Sequence, residues 1–351
     1  MTSQVSLRML SEHLGLTDGT VSRALNNYPD IAEKTRERVK AAALELGYQP
    51  NPTARRLATG TGECVAYILP ARSNHASDPF LAELLSGLSN AMLKRGWDLY
   101  ITAVDSVDNE IEQLKRLTAY NRVSGFVVSR TLSDDPRVNA LKKLGVPFIT
   151  HGRTQASDDH AWFDVDNRAA FRTAFDHLHQ LGHRDIAYIG GPSKYNFAQS
   201  RLTGYRDGLK HHDLGTQSKW IAESRLTLEG GEQAMLTILD SAKRTPSAVL
   251  CVTDMVAIGA MRAAHNRGLV PGRDIGFIGY DGIAVGAYTI PTLTTMTQPL
   301  IEAGESLGSM LLKVVDGAAA DSQQVLVNAK LVQRDSDAGG TSITDNTTDP
   351  H

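Results

Sequence analysis

From Glu63 onward, short apolar runs alternate with amphipathic helical stretches, and this alternation limits the possible folds more than any other feature of the chain. The runs are Val65–Leu69, Leu99–Val104, Gly125–Val128, Phe148–Thr150, Ile186–Ile189, Ala248–Val252 and Ile275–Ile278. Strands separated by helices imply a parallel sheet with right-handed crossovers. There are more runs than one sheet usually holds, and a second strand–helix series opens near Phe163. The expectation is therefore two α/β lobes. Residues 336–351 are polar, glycine-containing and unpatterned, the composition of a disordered tail.

The first 47 residues read differently, as helices without a strand-like run. Leu7, Leu10 and Leu14 recur at helical spacing and Gly15 breaks the helix. Thr17 is a candidate N-cap for a second helix with Val21 and Leu25 on its buried stripe. A third helix runs from about Glu33, burying Val39, Ala42 or Ala43, and Leu46, and stops at Gly47. Helix, glycine turn, helix and supporting helix make the layout of a helix-turn-helix. In the following segment, 48–61, Asn51 can cap, Pro52 suits the first helical position and Gly60 ends the turn. A helix of about two turns is not stable alone in water, so this one needs a partner.

Charge separates the same regions. The chain of 351 residues carries a net charge of −3. Residues 1–60 hold eight Lys/Arg against six Asp/Glu, so the head is +2 and the remainder −5. Nucleic-acid contact is expected at the N-terminal end. The 41% hydrophobic and 21% charged content is that of a globular protein. No run of 18 apolar residues suits a membrane span, and no apolar leader precedes a cleavage site, so a cytoplasmic protein is expected. The two cysteines, Cys64 and Cys251, stand far apart in apolar surroundings and read as buried, reduced core thiols.

With Val21 and Leu25 facing inward, the outer face of the second helix carries Asp18, Ser22 and Asn26, beside Gly19 and Arg23. Arginine is well suited to bidentate reading of guanine. Taken alone, the face reads equally well as an ordinary solvated one.

Four segments together resemble the lactose-repressor/galactose-repressor (LacI/GalR) family. They are Thr20-Val21-Ser22-Arg23-Ala24-Leu25-Asn26, Lys34-Thr35-Arg36-Glu37-Arg38-Val39, Leu46-Gly47-Tyr48-Gln49-Pro50-Asn51 and Ala54-Arg55-Arg56-Leu57. The resemblance covers roughly residues 5–335. It implies an all-α helix-turn-helix head over 1–47, a hinge helix over 48–61, and a two-lobed, periplasmic-binding-protein-like α/β domain with parallel sheets over 62–335. One lobe is expected over about 62–163 and 297–324, the other over about 164–296 and 325–335. In such proteins the second helix enters the major groove, which here implies base reading by Asp18, Gly19 and Arg23. Further DNA contacts are implied for Ser6, Leu7, Thr17, Thr20, Ser22 and Asn26, and for Lys34 and Thr35. In the hinge they are implied for Tyr48, Asn51, Ala54, Arg55 and Ala58, with Leu57 wedged into a base step of the minor groove. Two departures stand out: Ala32 replaces the usual capping serine, and Asp18 is acidic at a reading position.

The resemblance also places a sugar pocket between the lobes, at the C-terminal ends of strands. The implied effector contacts are Phe80, Ser129, His151, Arg153, Trp162, Tyr195, Phe197, Arg201, Asp254 and Asp281. Arg201 and Asp281 would bond ligand hydroxyls, and the aromatic groups would offer faces to a ring. The pocket reading is favoured for Asp254 and Asp281, and the alternative is that they only cap the helices after their strands. His151-Gly152-Arg153 replaces the more usual acidic residue before arginine and resembles regulators of α-glucoside use.

Other motifs do not hold. His179 and His183 have the i, i+4 spacing of a zinc helix, yet no H-E-x-x-H surrounds them, and Gly182-His183-Arg184 reads as a helix end with favourable charge. Gly190-Gly191-Pro192 lacks the pattern of a dinucleotide loop, and there is no G-x-S-x-G elbow or C-x-x-C. No catalytic residue, metal or cofactor is expected. The expected function is a sequence-specific transcription regulator, a repressor, that binds double-stranded operator DNA as a homodimer and responds to a small-molecule effector, a sugar. Residues 341–345 show no heptad that would make a tetramer. The rival is a transport-type sugar-binding protein, which needs a signal peptide and no DNA-reading head.

Overall fold

The structure, a computed structural model, describes residues 5–48, 62–70, 78–104, 106–215, 218–241 and 244–339. It divides into two units, residues 1–62 and 63–351. The expected hinge helix, apart from Tyr48, lies outside the described residues.

In the first unit, helix α1 (Leu7–Leu14) starts at Ser6, whose hydroxyl accepts the Met9 amide at 3.2 Å, and ends at Gly15 with φ 65°. A left-handed φ there favours glycine over any residue with a Cβ. Helix α2 (Asp18–Leu25) starts at Thr17, whose hydroxyl accepts the Thr20 amide at 3.2 Å. Helix α3 (Glu33–Glu45) follows Ala32, which has no side chain to cap it. Leu10, Leu14, Val21, Ala24, Val39, Ala42 and Ala43 form the core, and Arg38 donates to the Leu14 carbonyl at 2.7 Å. This core is small because each helix contributes one narrow apolar stripe.

The second unit contains two six-stranded sheets. The first is built from β1 (Cys64–Pro70), β2 (Asp98–Val104), β3 (Gly125–Ser129), β4 (Phe148–His151), β5 (Ala161–Val165) and β11 (Gln324–Val327), in the order β11-β5-β4-β3-β1-β2, all parallel. The helices on its faces are α4 (Pro79–Arg95), α5 (Val107–Ala119), α6 (Pro136–Leu144) and α11 (Leu300–Val315). The second contains β6 (Ile186–Gly190), β7 (Ile221–Glu223), β8 (Ala248–Cys251), β9 (Gly276–Asp281), β10 (Thr294–Thr297) and β12 (Lys330–Val332), in the order β12-β10-β9-β8-β6-β7. Its helices are α7 (Asn167–Gln180), α8 (Asn196–His211), α9 (Leu228–Ser241) and α10 (Asp254–Asn266). Edge strand β12 runs antiparallel to β10, a departure from the all-parallel expectation.

Close helix packing follows from glycine. On α4, a Cβ at Gly87 would stand 1.9 Å from the Ile301 carbonyl oxygen of α11, and one at Gly304 would stand 2.2 Å from that of Leu84. The two backbones touch only because neither position has a side chain.

The chain passes between lobes after β5, after β10 and between β11 and β12. Val165 and Val327 therefore both belong to the first sheet, and the boundaries expected at 163 and 325 move to about 166 and 328. The expected disordered tail starts later than 336. Ser336 and Asp337 are buried. The Ser336 hydroxyl donates to the Phe277 carbonyl at 2.7 Å and accepts the Thr294 amide at 2.8 Å. His177 bonds the Asp337 carboxylate at 2.6 Å, and buried His183 meets the Asp337 carbonyl at 3.0 Å. Residues 340–351 lie outside the described ones. Cys251 is buried as expected, but Cys64 is only half-buried.

Candidate functional site

Between the sheets lies a cleft of about 690 Å³, counting space open to solvent. It is built at the C-terminal ends of strands, where open α/β sheets leave a crevice. Arg130 follows β3, His151 ends β4, Asp164 lies near the end of β5, Thr253 follows β8 and Asp281 ends β9. Helix starts add Asp78 and Phe80 from α4, Asn167 from α7, and Asn196, Phe197 and Arg201 from α8; Gln298 follows β10.

Arg201 is the most constrained group in the cleft. It is only 5% exposed. Its Nε donates to the Asn167 amide oxygen at 2.8 Å and its Nη1 to the Val252 carbonyl at 2.6 Å. The guanidinium carbon lies 3.6 Å from the centroid of the Tyr280 ring and 4.7 Å from that of Phe197. Ring faces attract a cation, and two fixed acceptors set the plane of the fork. Asp281 stands in the same field. It accepts from the Gln298 amide at 2.7 Å, and its backbone φ of 116° is unusual for a residue other than glycine. Burial pushes its pKa well above the usual carboxylate value, while Arg201 pulls it back.

On the opposite wall Arg130 is ion-paired with Asp78, and Arg153 donates to Asp164 at 2.9 Å. The His151 ring sits 5.7 Å from that of Phe80 and 6.3 Å from that of Phe163. Its Nε2 is buried and has no hydrogen-bond partner among the described residues. Burial, helped by the Arg201 charge, pushes its pKa down to about 4, so the imidazole is neutral at physiological pH.

Below this wall, buried Arg137 holds the β3–α6 connection. It donates to both Asp135 oxygens at 2.9 and 2.7 Å, to Glu110 at 3.1 Å, and to the carbonyls of Ser129 and Arg130 at 3.1 and 3.2 Å. The last of these fixes the backbone from which Arg130 reaches Asp78.

In the first unit, Arg23 leaves the last turn of α2 and pairs with Asp30 at 2.5 Å, near the Tyr28 ring. The pair is about half exposed, with side-chain values of 52% and 45%. Asp18, in the first turn of α2, accepts a hydrogen bond from Ser11 of α1. Asn26 donates to the Ser22 carbonyl at 2.9 Å. Lys34 and Thr35 fall in the first turn of α3, and Thr20 and Gly19 in that of α2.

Comparison with known proteins agrees with this geometry. Residues 14–51 match the model for bacterial regulatory proteins of the lacI family, and residues 175–336 match a periplasmic binding protein-like domain. The HTH-type transcriptional regulator AglR of Rhizobium meliloti (strain 1021) is 34% identical over 335 residues, covering 94% of this chain and 93% of its own. The chain belongs to the LacI family. The HTH-type transcriptional regulator RafR of Escherichia coli is 30% identical, covering 92% of this chain and 95% of its own. Among solved structures, a lac repressor dimer bound to operator and the anti-inducer ONPF superposes with TM-score 0.80 at 26% identity, over 96% of this chain and 100% of that one. A CelR–cellobiose complex superposes with TM-score 0.74 at 28% identity, over 95% and 100%. This LacI-family chain is a DNA-binding transcription regulator. No helix among its described residues is long and apolar enough to cross a membrane.

Six of the ten expected effector residues line the cleft of this LacI-family protein: Phe80, His151, Arg153, Phe197, Arg201 and Asp281. Four do not. Asp254 is fully buried, accepting the Gly282 and Ile283 amides at 2.8 Å each and the Thr295 hydroxyl at 2.6 Å. It holds the loop after Asp281 in place, while Thr253 caps α10. Burial pushes the Asp254 pKa up to about 7 against the pull of those three donors. The Ser129 hydroxyl is engaged with Tyr67. Trp162 donates its indole N–H to the Ser157 carbonyl at 3.1 Å and lies behind Arg153, 5.4 Å from its guanidinium carbon. Tyr195 stacks on Phe197 at 5.5 Å.

Sequence reasoning missed Asp164, Asn167 and Gln298. Asp164 is the one charged residue in β5, a strand of five residues whose apolar pattern it interrupts, and Gln298 follows the threonine-rich β10. Asn167 is the first residue of α7, a position indistinguishable in sequence from an ordinary helix start.

Proposed function

We propose that this LacI-family regulator is a repressor that works as a homodimer on operator DNA and is controlled by a sugar bound in the cleft between its lobes. The observation that carries the effector reading is Arg201. Its guanidinium lies over the Tyr280 and Phe197 rings beside Asp281, with His151 Nε2 and the Arg153–Asp164 and Arg130–Asp78 pairs across the cleft. Donors and acceptors alternating around apolar ring faces suit a polyhydroxylated ring. The CelR structure with cellobiose supports the same ligand class.

In this reading Ser6, Leu7, Thr17, Asp18, Gly19, Thr20, Ser22, Arg23 and Asn26, with Lys34, Thr35 and Tyr48, face DNA, and residues 48–61 form the hinge. The lac repressor dimer on operator supports the assignment of a dimer. The protein acts by binding and release rather than catalysis, in the cytoplasm where its DNA target lies. Thermal denaturation against a panel of sugars tests the effector reading, because a ligand that binds only the folded state raises the melting temperature. A sugar that stabilises the protein and changes its operator affinity supports the proposal. Stabilisation by no sugar, with stabilisation by another metabolite, overturns it.

A further inference from the structure

Helices α4, α5, α6, α7 and α10 each begin at a residue whose side chain accepts an amide of the first turn: Asp78, Ser106, Asp135, Asp166 and Thr253. Helix α8 begins at Tyr195, which makes no side-chain cap. Its first amide, that of Asn196, donates instead to the carbonyl of Thr131 in the other lobe at 3.0 Å. Leu132 and Tyr195 form an isolated antiparallel bridge beside it. The first lobe thus takes up one of the orphan donors of a helix start in the second.

The Thr131 carbonyl is held in place by its own lobe. Arg130, just before it, has a left-handed φ of 52°, which a residue with a Cβ adopts only where its surroundings impose it. Those surroundings are Arg137, which donates to the carbonyls of Ser129 and Arg130, and Asp135, which accepts the Leu132 amide at 3.0 Å. The Thr131 side chain is buried and donates to the Arg153 carbonyl at 2.8 Å. The place of the contact gives it leverage. The chain crosses between the lobes beside β5 and β11 at one edge of the first sheet, and beside β10 and β12 at one edge of the second. Thr131 follows β3, two strands in from β5, and Asn196 follows β6, three strands in from β10. Lobes joined only at their crossings can rock about them, and a bond away from the crossings fixes the angle.

We propose that residues 130–132 and 195–196 form a strap that ties the lobes together across the cleft without help from an effector. Both partners are backbone of this chain, so the tie needs no ligand to form. That an effector then meets lobes already drawn together rests on reading the cleft as the effector site; the strap itself does not.

Amide exchange of the full-length protein with no sugar added, resolved to single residues by mass spectrometry, tests the strap directly. An amide at the first helical position has no partner within its own helix. That of Asn196 should nevertheless exchange at least about tenfold slower than an unprotected amide. Exchange at the unprotected rate overturns the proposal.

Asn196→Pro supplies a second arm. Proline suits the first helical position, and Tyr195, with φ −83° and ψ 133°, already has the extended conformation favoured before proline. The variant keeps the helix and removes the N–H that reaches Thr131. Asn196→Ala is its control, losing the same side chain and keeping the N–H. Single-molecule energy transfer between dyes on Lys143→Cys in the first lobe and Lys219→Cys in the second reports lobe separation, both positions being exposed. It is run in a Cys64→Ser background with unlabelled protein in excess. The wild type and Asn196→Ala should be mostly closed, and Asn196→Pro should raise the ratio of open to closed molecules by about fivefold, as loss of one ordinary hydrogen bond would. A wild type that is mostly open, or equal distributions for the two variants, overturns the strap. If circular dichroism shows Asn196→Pro unfolded, the exchange rate of Asn196 decides alone.

Discussion

Arg23, at the end of α2, and Asp30, in the loop after it, form an ion pair of 2.5 Å beside the Tyr28 ring. The pair holds the guanidinium before DNA arrives. Half-exposed pairs are worth about 1 kcal/mol or less, so a guanine can displace Asp30 at little cost. Arg23→Ala is expected to lose about 1–3 kcal/mol of operator affinity while binding to random DNA changes little. Equal losses on both DNAs in a fluorescence-anisotropy titration would show that Arg23 meets only phosphate.

Asp254 and Asp281 should separate cleanly on mutation. Asp254→Ala strands two backbone amides and the Thr295 hydroxyl in a buried site. The expected loss is roughly 3–5 kcal/mol of folding stability. Asp281→Ala removes a carboxylate that burial already disfavours, so it should cost far less. Urea unfolding of the two variants checks the order, and a larger loss for Asp281→Ala would reverse the roles given to them.

Gly87→Ala tests the α4–α11 crossing. The new Cβ would meet the Ile301 carbonyl oxygen at 1.9 Å, against backbone that cannot yield locally. Destabilisation of about 1–3 kcal/mol or more is expected by thermal or urea unfolding. A variant as stable as the wild type would mean that the helices pack further apart.

His151 makes a pH-dependent contribution whose sign is fixed. In the unfolded chain its pKa is near 6.5, and in the fold burial and Arg201 hold it at about 4. Between these values the unfolded state binds a proton that the folded state refuses. The contribution is therefore present above pH 6.5 and lost as pH falls toward 4. Its full size is of the order of 3 kcal/mol. His160 and His183, also depressed by burial, remain in a His151→Gln variant and cancel in the comparison. Urea unfolding at pH 5 and pH 7.5 should show a shallower pH dependence for the variant than for the wild type, and identical dependence would contradict the buried, neutral imidazole.

The reach of the sequence follows from what each element is made of. Strands buried on both faces, such as β6 and β8, announced themselves as continuous apolar runs because both sides pack against helices. Strands β5, β7, β10, β11 and β12 did not, being short, edge-placed or rich in threonine and charge, so the lobe crossings were displaced by a few residues. The same gap hid Asp164 and Gln298. Arg201 was legible through the family motif, but its cage of Tyr280 and Phe197 joins residues brought together only by the fold. Asp254 shows the opposite error. A carboxylate after a strand reads alike whether it faces a ligand or backbone amides, and only its three partners decide. Ser336 and Asp337 looked like tail because their burial depends on Phe277, Thr294 and His177, far away in sequence.

In the proposed function a sugar in the cleft controls the head's grip on operator DNA through Arg201 and Asp281. The direct measurement is an operator titration of wild type and Asp281→Ala, each with and without the sugar that stabilises the wild type. For the wild type, the sugar should shift operator affinity by about 1–3 kcal/mol, and operator should shift sugar affinity by the same factor. For Asp281→Ala, that shift should vanish while sugar-free operator binding stays nearly normal. A variant that still responds fully, or whose sugar-free operator binding collapses, would show that Asp281 supports the fold and that the controlling site lies elsewhere.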